Sequence, residues 1–262
     1  MSPEIRTFLE LAPLGFLIGA YGTLVGAGGG SVLVPALLLM LPQKEPATIT
    51  AISLAVVFFN AYSGTVAYVR MGRVNFRAGV MFTLASLPGA VLGVLLVHEL
   101  PRALFDPLFG LLLLLLGGYL VFSPLGSSAT EHDSSKGIPS GRADLLGCIG
   151  SAYIAILSST LGIGGGIIHV PFLIRGLRMS PHVATATSHF VLTFMALTAT
   201  VTHVILGELD GELAETTYLA VGVMMGAPLG AALSGRLHGS HIVRLLALAL
   251  CLVGVRLLAR AW

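Results

Sequence analysis

Charge is what this chain has least of. Only 10% of its 262 residues are Asp, Glu, Lys or Arg, against roughly a quarter in soluble globular domains, and that excludes an ordinary water-solvated surface. The net charge is +2 and the 14 basic residues are scattered, so no nucleic-acid partner is expected. Cysteine is nearly absent: Cys148 and Cys251 both sit in apolar runs and read as small hydrophobes, not a disulfide pair. No spacing of histidine, cysteine and carboxylate suggests zinc, and no cofactor is expected. No carboxylate is expected within the membrane, which leaves a carboxylate-based proton or sodium relay without a residue. The start, Met1-Ser2-Pro3-Glu4, lacks a basic n-region and a cleavage site, so the first apolar segment is expected to stay in the mature protein.

What is present is apolar. Hydrophobic residues make up 55% of the chain and the mean hydropathy is +0.94, which predicts an all-α polytopic membrane protein in contact with a lipid bilayer. Apolar segments run over residues 8–25, 31–41, 47–69, 78–97 and 104–122. A polar stretch rich in Ser, Gly and Pro follows at 123–144 and reads as a flexible linker. The same order then recurs at 145–161, 167–177, 183–206, 216–235 and 242–259. The expected organisation is a first transmembrane repeat (1–122), the linker (123–144) and a second repeat (145–262).

The repeat extends to individual residues. Gly26-Ala27-Gly28-Gly29-Gly30 with Pro35 matches Gly162-Ile163-Gly164-Gly165-Gly166 with Pro171, Thr50-Ala51 falls on Thr185-Ala186, and Gly89-Ala90 and Gly93 fall on Gly226-Ala227 and Gly230. Gly72 falls on Gly207 and Gly117 on Gly254. Such a duplication is typical of secondary transporters.

Loop charge predicts how the halves face, because cytoplasmic loops collect Lys and Arg. Arg70, Arg73 and Arg77 follow the third segment of the first half, whereas Glu208, Asp210, Glu212 and Glu215 follow its counterpart. Arg175, Arg178, Arg236 and Arg244 fall on the side expected to be cytoplasmic; Arg256 and Arg260 near the end stand against an outside C-terminus. The halves are therefore expected to be inverted, each with an odd number of crossings. Segments 31–41 and 167–177 have about half the 20 or so residues a crossing needs. Each half is expected to hold a glycine-broken helical hairpin plus three spanning helices.

Consecutive glycines are poor helix formers, each costing about 1 kcal/mol against alanine, so the helix should break at Gly28–Gly30 and Gly164–Gly166. In a membrane such breaks persist where protein or a water-filled cavity satisfies the backbone. A half-helix starting after each break would aim free N–H groups and its positive end at an anion. Nucleotide motifs are excluded, since Ser31 and Ile167 stand where Gly-x-Gly-x-x-Gly would continue and no Gly-Lys-Ser/Thr follows. Gly22, Gly89, Gly93, Gly222, Gly226 and Gly230 instead suit close helix packing.

Polar residues within the apolar segments complete the candidate site. The third segment and its repeat carry Thr50, Ser53, Asn60 and Ser63, and Thr185, Thr187, Ser188, His189 and Thr193. Hydroxyls often bond their own helix backbone; Asn60 and His189 cannot, and either line the pathway or bond between helices. His169 lies three residues beyond the second glycine run and suits a proton carrier or anion donor. His203 nears a membrane face and reads as interfacial. The candidate substrate-binding set is Gly28, Gly29, Gly30, Ser31, Ser53, Asn60, Gly164, Gly165, Gly166, His169, Ser188 and His189. The competing class is an intramembrane hydrolase using His169 or His189. It lacks a nucleophile beside a base, because Ser188 and His189 point about 100° apart on a helix, and no enzyme is expected.

With its two glycine-rich breaks followed by proline, and the later Gly-Ala-x-x-Gly elements at Gly89 and Gly226, the sequence resembles the TauE/SafE sulfite exporter family over essentially its whole length. The resemblance implies a multi-pass protein of the inner or plasma membrane that transports small sulfur-containing anions such as sulfite or organosulfonates. A coupling proton and a homodimer partner are compatible with it.

Overall fold

Long apolar stretches with no partner strands can satisfy their backbone in lipid only as helices, and every element among the described residues is helical. The computed structural model describes residues 3–26, 28–122 and 140–234, with residues 251, 254–256 and 258–259. Ala27, linker residues 123–139, most of the segment 242–259, and Arg236, Arg244 and Arg260 lie outside the described residues.

The first half runs α1 (Pro3–Val25), α2 (Gly30–Met40), α3 (Pro46–Arg70), α4 (Phe76–His98) and α5 (Arg102–Phe122). The second runs α6 (Ser140–Thr160), α7 (Gly166–Pro171), α8 (Pro181–Ile205) and α9 (Leu213–Leu233). Residues 140–144, in the stretch read as linker, thus open α6. Among the described residues α1, α3, α4, α6, α8 and α9 each contain a stretch long and apolar enough to cross a bilayer, so the chain is a multi-pass membrane protein. Glu10 and Asp106 lie inside α1 and α5, near the start of each helix but beyond its first turn, so the apolar segments are not free of carboxylates.

The halves are built alike. Pro46 and Pro181 both open their helices at the first turn, where a missing N–H costs nothing. Each glycine run ends on a left-handed glycine, Gly29 (φ 82°) or Gly165 (φ 72°), from which an 11-residue apolar helix starts. At 1.5 Å per residue these half-helices are about 16 Å long, half a bilayer. They differ in one respect. α2 runs through Pro35 to Met40, whereas Pro171 ends the α-turns of α7 and the chain continues as a π-turn over Phe172–Gly176.

Helix directions follow from paired contacts. Glycines 15 and 19 of α1 meet Leu219 and Val223 of α9, and Gly222, Gly226 and Gly230 meet the α1 backbone at Ala12, Phe16 and Ala20; both series ascend, so α1 and α9 are parallel. By the same test α4 and α6 are parallel, from Gly89 at Ala152 and Gly93 at Ile156. Helices α3 and α9 are parallel through Ser63 to Met224 and Tyr68 beside Ala231, and α4 and α8 through Gly79 at Phe190 and His98 at Glu208. Across the middle, Tyr68 meets His189 and Thr65 meets Thr193; here one series falls as the other rises, so α3 and α8 are antiparallel. Exchanging the halves maps α1 on α9 to α6 on α4, and α3 on α9 to α8 on α4.

These contacts confirm the packing role of the later glycines. A Cβ on Gly226 would sit 2.1 Å from the Phe16 carbonyl oxygen, and one on Gly93 2.5 Å from that of Ile156, so the helices touch backbone to backbone. Gly226→Val is expected to destabilise the protein by about 2 kcal/mol or more, read as a lower thermal midpoint in detergent. Gly118→Ala, where an added Cβ meets nothing within 4 Å, serves as the control and should not lower it.

The charged loops separate to the two ends of the bundle. Arg77 pairs with Asp144, and the Asn75 N–H donates to Thr187 Oγ1, which brings the Arg70–Arg77 loop, the start of α6 and the start of α8 to one end. At the other end Lys44 pairs with Glu212, His98 with Glu208, and Arg102 with Asp106.

Candidate functional site

The two glycine breaks meet. A Cβ on Gly30 would lie 2.7 Å from the Ile163 carbonyl carbon and 2.8 Å from the Gly162 oxygen, and the Ser53 hydroxyl donates to that same Gly162 oxygen at 2.7 Å. The surroundings repeat as the sequence does: Gly26 abuts Thr185 while Gly162 abuts Thr50, and Gly28 and Gly164 both lie against Val57, with Leu192 closing on Gly28. Gly26, Gly28 and Gly29 and their counterparts Gly162, Gly164 and Gly165 all have φ between 69° and 82°, a conformation that side chains disfavour. The glycines are thus required by the backbone as well as by the close approach.

All twelve candidate residues are buried, and they gather around this junction in two groups. On the second-half side His169 lies between two hydroxyls, Nε2 to Ser151 Oγ at 3.0 Å and Nδ1 to Ser188 Oγ at 3.2 Å. Ser151, Gly165, His169, Ser188, Leu192 and Met195 line a cavity of about 10 Å³, room for one water. This corrects the view that no serine stands beside a histidine: Ser188 does, and the histidine is His169, brought from another helix. Both ring nitrogens are taken by hydroxyls, so neither is left for the carboxylate that orients a catalytic imidazole. Among the described residues no group of three histidines, cysteines and carboxylates could hold a metal ion.

On the first-half side the Thr23 hydroxyl donates to Asn60 Oδ1 at 3.1 Å, and the Tyr68 hydroxyl to the Thr23 carbonyl at 2.9 Å. The His189 ring packs edge-on to Tyr68, with centroids 5.4 Å apart, and fills the space left by Gly64. Asn60 therefore makes the interhelical bond that was one of its two expected roles, yet its Nδ2 has no partner; nor do Ser31 Oγ and both His189 nitrogens. His203, expected at the interface, is in the last turn of α8 but fully buried.

Sequence reading missed Thr23, Tyr68 and Ser151, and with them the buried, unpartnered hydroxyls of Ser158 and Ser159. The hydroxyl residues are legible in the sequence as polar positions within the apolar segments 8–25 and 145–161. Nothing in the sequence signals Tyr68. The free N–H groups expected at the breaks are also partly used, since Gly28 donates to the Gly22 carbonyl and Gly166 to that of Gly164.

Paired half-helices meeting inside a bundle of apolar spanning helices define a multi-pass membrane protein with a broken-helix core. The sequence profile of the family described as Sulfite exporter TauE/SafE matches residues 11–257, and the chain belongs to that family. It is 27% identical over 268 residues to the probable membrane transporter protein YunE of Bacillus subtilis (strain 168), covering 96% of this chain and 97% of that one. It is 28% identical over 264 residues to a probable membrane transporter protein of Xylella fastidiosa (strain Temecula1), covering 98% and 97%, and 30% identical over 178 residues to MJ0441 of Methanocaldococcus jannaschii, a probable membrane transporter protein, covering 63% and 62%. No solved structure matches. The chain is accordingly placed among membrane transport proteins.

Proposed function

We propose that this chain is a secondary transporter of the inner or plasma membrane that exports small sulfur-containing anions, sulfite or an organosulfonate, by alternating access between two inverted repeats. The observation that carries the reading is the meeting of the two glycine breaks, Gly30 against Ile163, in the interior of the bundle. Secondary transporters place their substrate where broken helices of related repeats converge. The antiparallel course of α3 and α8 supports the inversion. The collection of Arg70, Arg73, Arg77, Arg142, Arg175 and Arg178 at one end supports that end as cytoplasmic.

The substrate-binding groups in this reading are the glycine backbones at 28–30 and 164–166, the hydroxyls of Ser31, Ser53 and Ser188, and Asn60, His169 and His189. Helix α2 starts at Gly30 with its positive end at the junction, which favours an anion. In this reading the cavity beside His169, with room for one water, enlarges for an oxyanion to load. A hydrolase reading gains the Ser188–His169 pair but no orienting carboxylate.

Counterflow in proteoliposomes tests the proposal, with sulfite, thiosulfate, sulfoacetate and sulfate as countersubstrates and with or without a proton gradient. Trans-stimulated exchange of sulfite or sulfoacetate is expected. Flux without trans-stimulation would turn the reading to a channel, and no flux of any of the four would overturn the substrate class.

A further inference from the structure

The polar groups around the junction break the symmetry of the fold. At the offset that places Ser53 on Ser188, Asn60 falls on Met195 and His189 on Leu54. At the second break each His169 nitrogen meets a serine, and the Ser158 hydroxyl beside Gly165 is left without a partner. At the first break the amide nitrogen and both imidazole nitrogens themselves stay open. Asn60 Nδ2 lies 3.6 Å from where a Gly29 Cβ would be, and His189 Nε2 lies 3.3 Å from the Cβ position of Gly64, one turn along α3 from Asn60. Thr23 touches both places, its hydroxyl on Asn60 and its methyl against Gly64. Asn60 and His189 are fully buried, where an unmade hydrogen bond is costly because no water replaces it.

What would satisfy these groups is set by their chemistry. Asn60 Nδ2 only donates and needs an acceptor. A neutral imidazole carries one donor and one acceptor. On α8 the carbonyl one turn back from His189 is that of Thr185, and neither ring nitrogen makes a hydrogen bond. Nδ1, the nitrogen nearer the backbone, is the one that can turn its N–H toward that carbonyl, which leaves Nε2 as an acceptor in need of an O–H.

We propose that Thr23, Asn60 and His189 form a site for a small oxyanion that still carries one O–H group, the ligand donating that O–H to His189 Nε2 and accepting from the Asn60 amide through an anionic oxygen. The proposal rests on the transporter reading and narrows its substrate class to singly protonated oxyanions, so that the proton travels on the substrate. A site built to receive an O–H discriminates strongly against the analogue lacking it.

The test compares isosteric pairs in which methyl replaces hydroxyl: hydrogen sulfite against methanesulfinate, and hydrogencarbonate against acetate. Binding to the detergent-purified full chain is measured by calorimetry, each pair at one pH where both members are anions. The hydroxyl-bearing member is expected to bind roughly tenfold or more tightly. His189→Leu, which copies the matched residue of the first half, is expected to bring the pair within about twofold while methyl-bearing anions still bind. Asn60→Met, copied from the second half, is expected to weaken all four anions together, and monodisperse elution establishes that each variant is folded. Equal affinities within each pair in the parent, or a preference that survives His189→Leu, overturn the proposal while anion exchange in proteoliposomes still stands. A preference present without any counterflow leaves the site and overturns the transport reading.

Discussion

Gly29→Leu and Gly165→Leu are each expected to abolish anion exchange in proteoliposomes while leaving membrane insertion intact. Both glycines hold left-handed backbone, φ 82° and 72°, which costs a side-chain-bearing residue about 1–2 kcal/mol. Space forbids the change as well. A Cβ at position 29 would lie 2.8 Å from Ile18 Cγ2, and one at 165 would lie 2.9 Å from Ser158 Oγ, before the rest of a leucine is added. The close glycine packing of α1 on α9 and of α4 on α6 involves other residues, so the bundle should still assemble. The checks are exchange rate per reconstituted protein and elution as a single species. Parent-like exchange by either variant would remove the glycine junction from the mechanism.

Reversing the ion pair between Lys44 and Glu212 should produce the second large effect. Lys44 follows the half-helix α2 and Glu212 directly precedes α9, 168 residues later, so the pair ties one half to the other at the end of the bundle away from the arginine-rich loops. Arg102 reinforces it by donating to the carbonyls of Pro42 and, at 2.7 Å, Lys44. Both side chains are largely buried, 24% and 11% exposed, and removing one partner of such a pair costs more than the pair itself contributes. Lys44→Glu and Glu212→Lys are each expected to lower stability by roughly 1–3 kcal/mol and to slow exchange about tenfold. The double reversal restores the opposite charges and is expected to recover most of both. Failure of the double variant to recover exchange would show that the contact is not a tie between the halves.

The elements themselves were legible because their causes are local. Apolar length set the crossings, the glycine runs set where the helices break, and Pro46 and Pro181 marked where the third helix of each half begins. The duplication was readable because matched residues impose matched geometry; Gly72 and Gly207 both take positive φ after the same helix. Loop charge anticipated the two ends of the bundle. Asp106 and Glu10 are hidden in the sequence because a long apolar run masks a single carboxylate near its start.

What the sequence by itself determined is therefore an all-helical, multi-pass, duplicated chain with two interrupted helices, since each of these follows from backbone preference or from burial over a few turns. Which side chains meet was decided only by the tertiary structure. Ser188 was read against its neighbour His189, yet it faces His169 from another helix, while His189 turns the other way onto Gly64 and Tyr68. Partnership between helices depends on crossing angle and rotation, which the packing of glycine backbones sets and no stretch of the chain encodes alone. For the same reason the contrast between the unpartnered His189 beside the first break and the doubly bonded His169 beside the second exists only once the two halves are brought together.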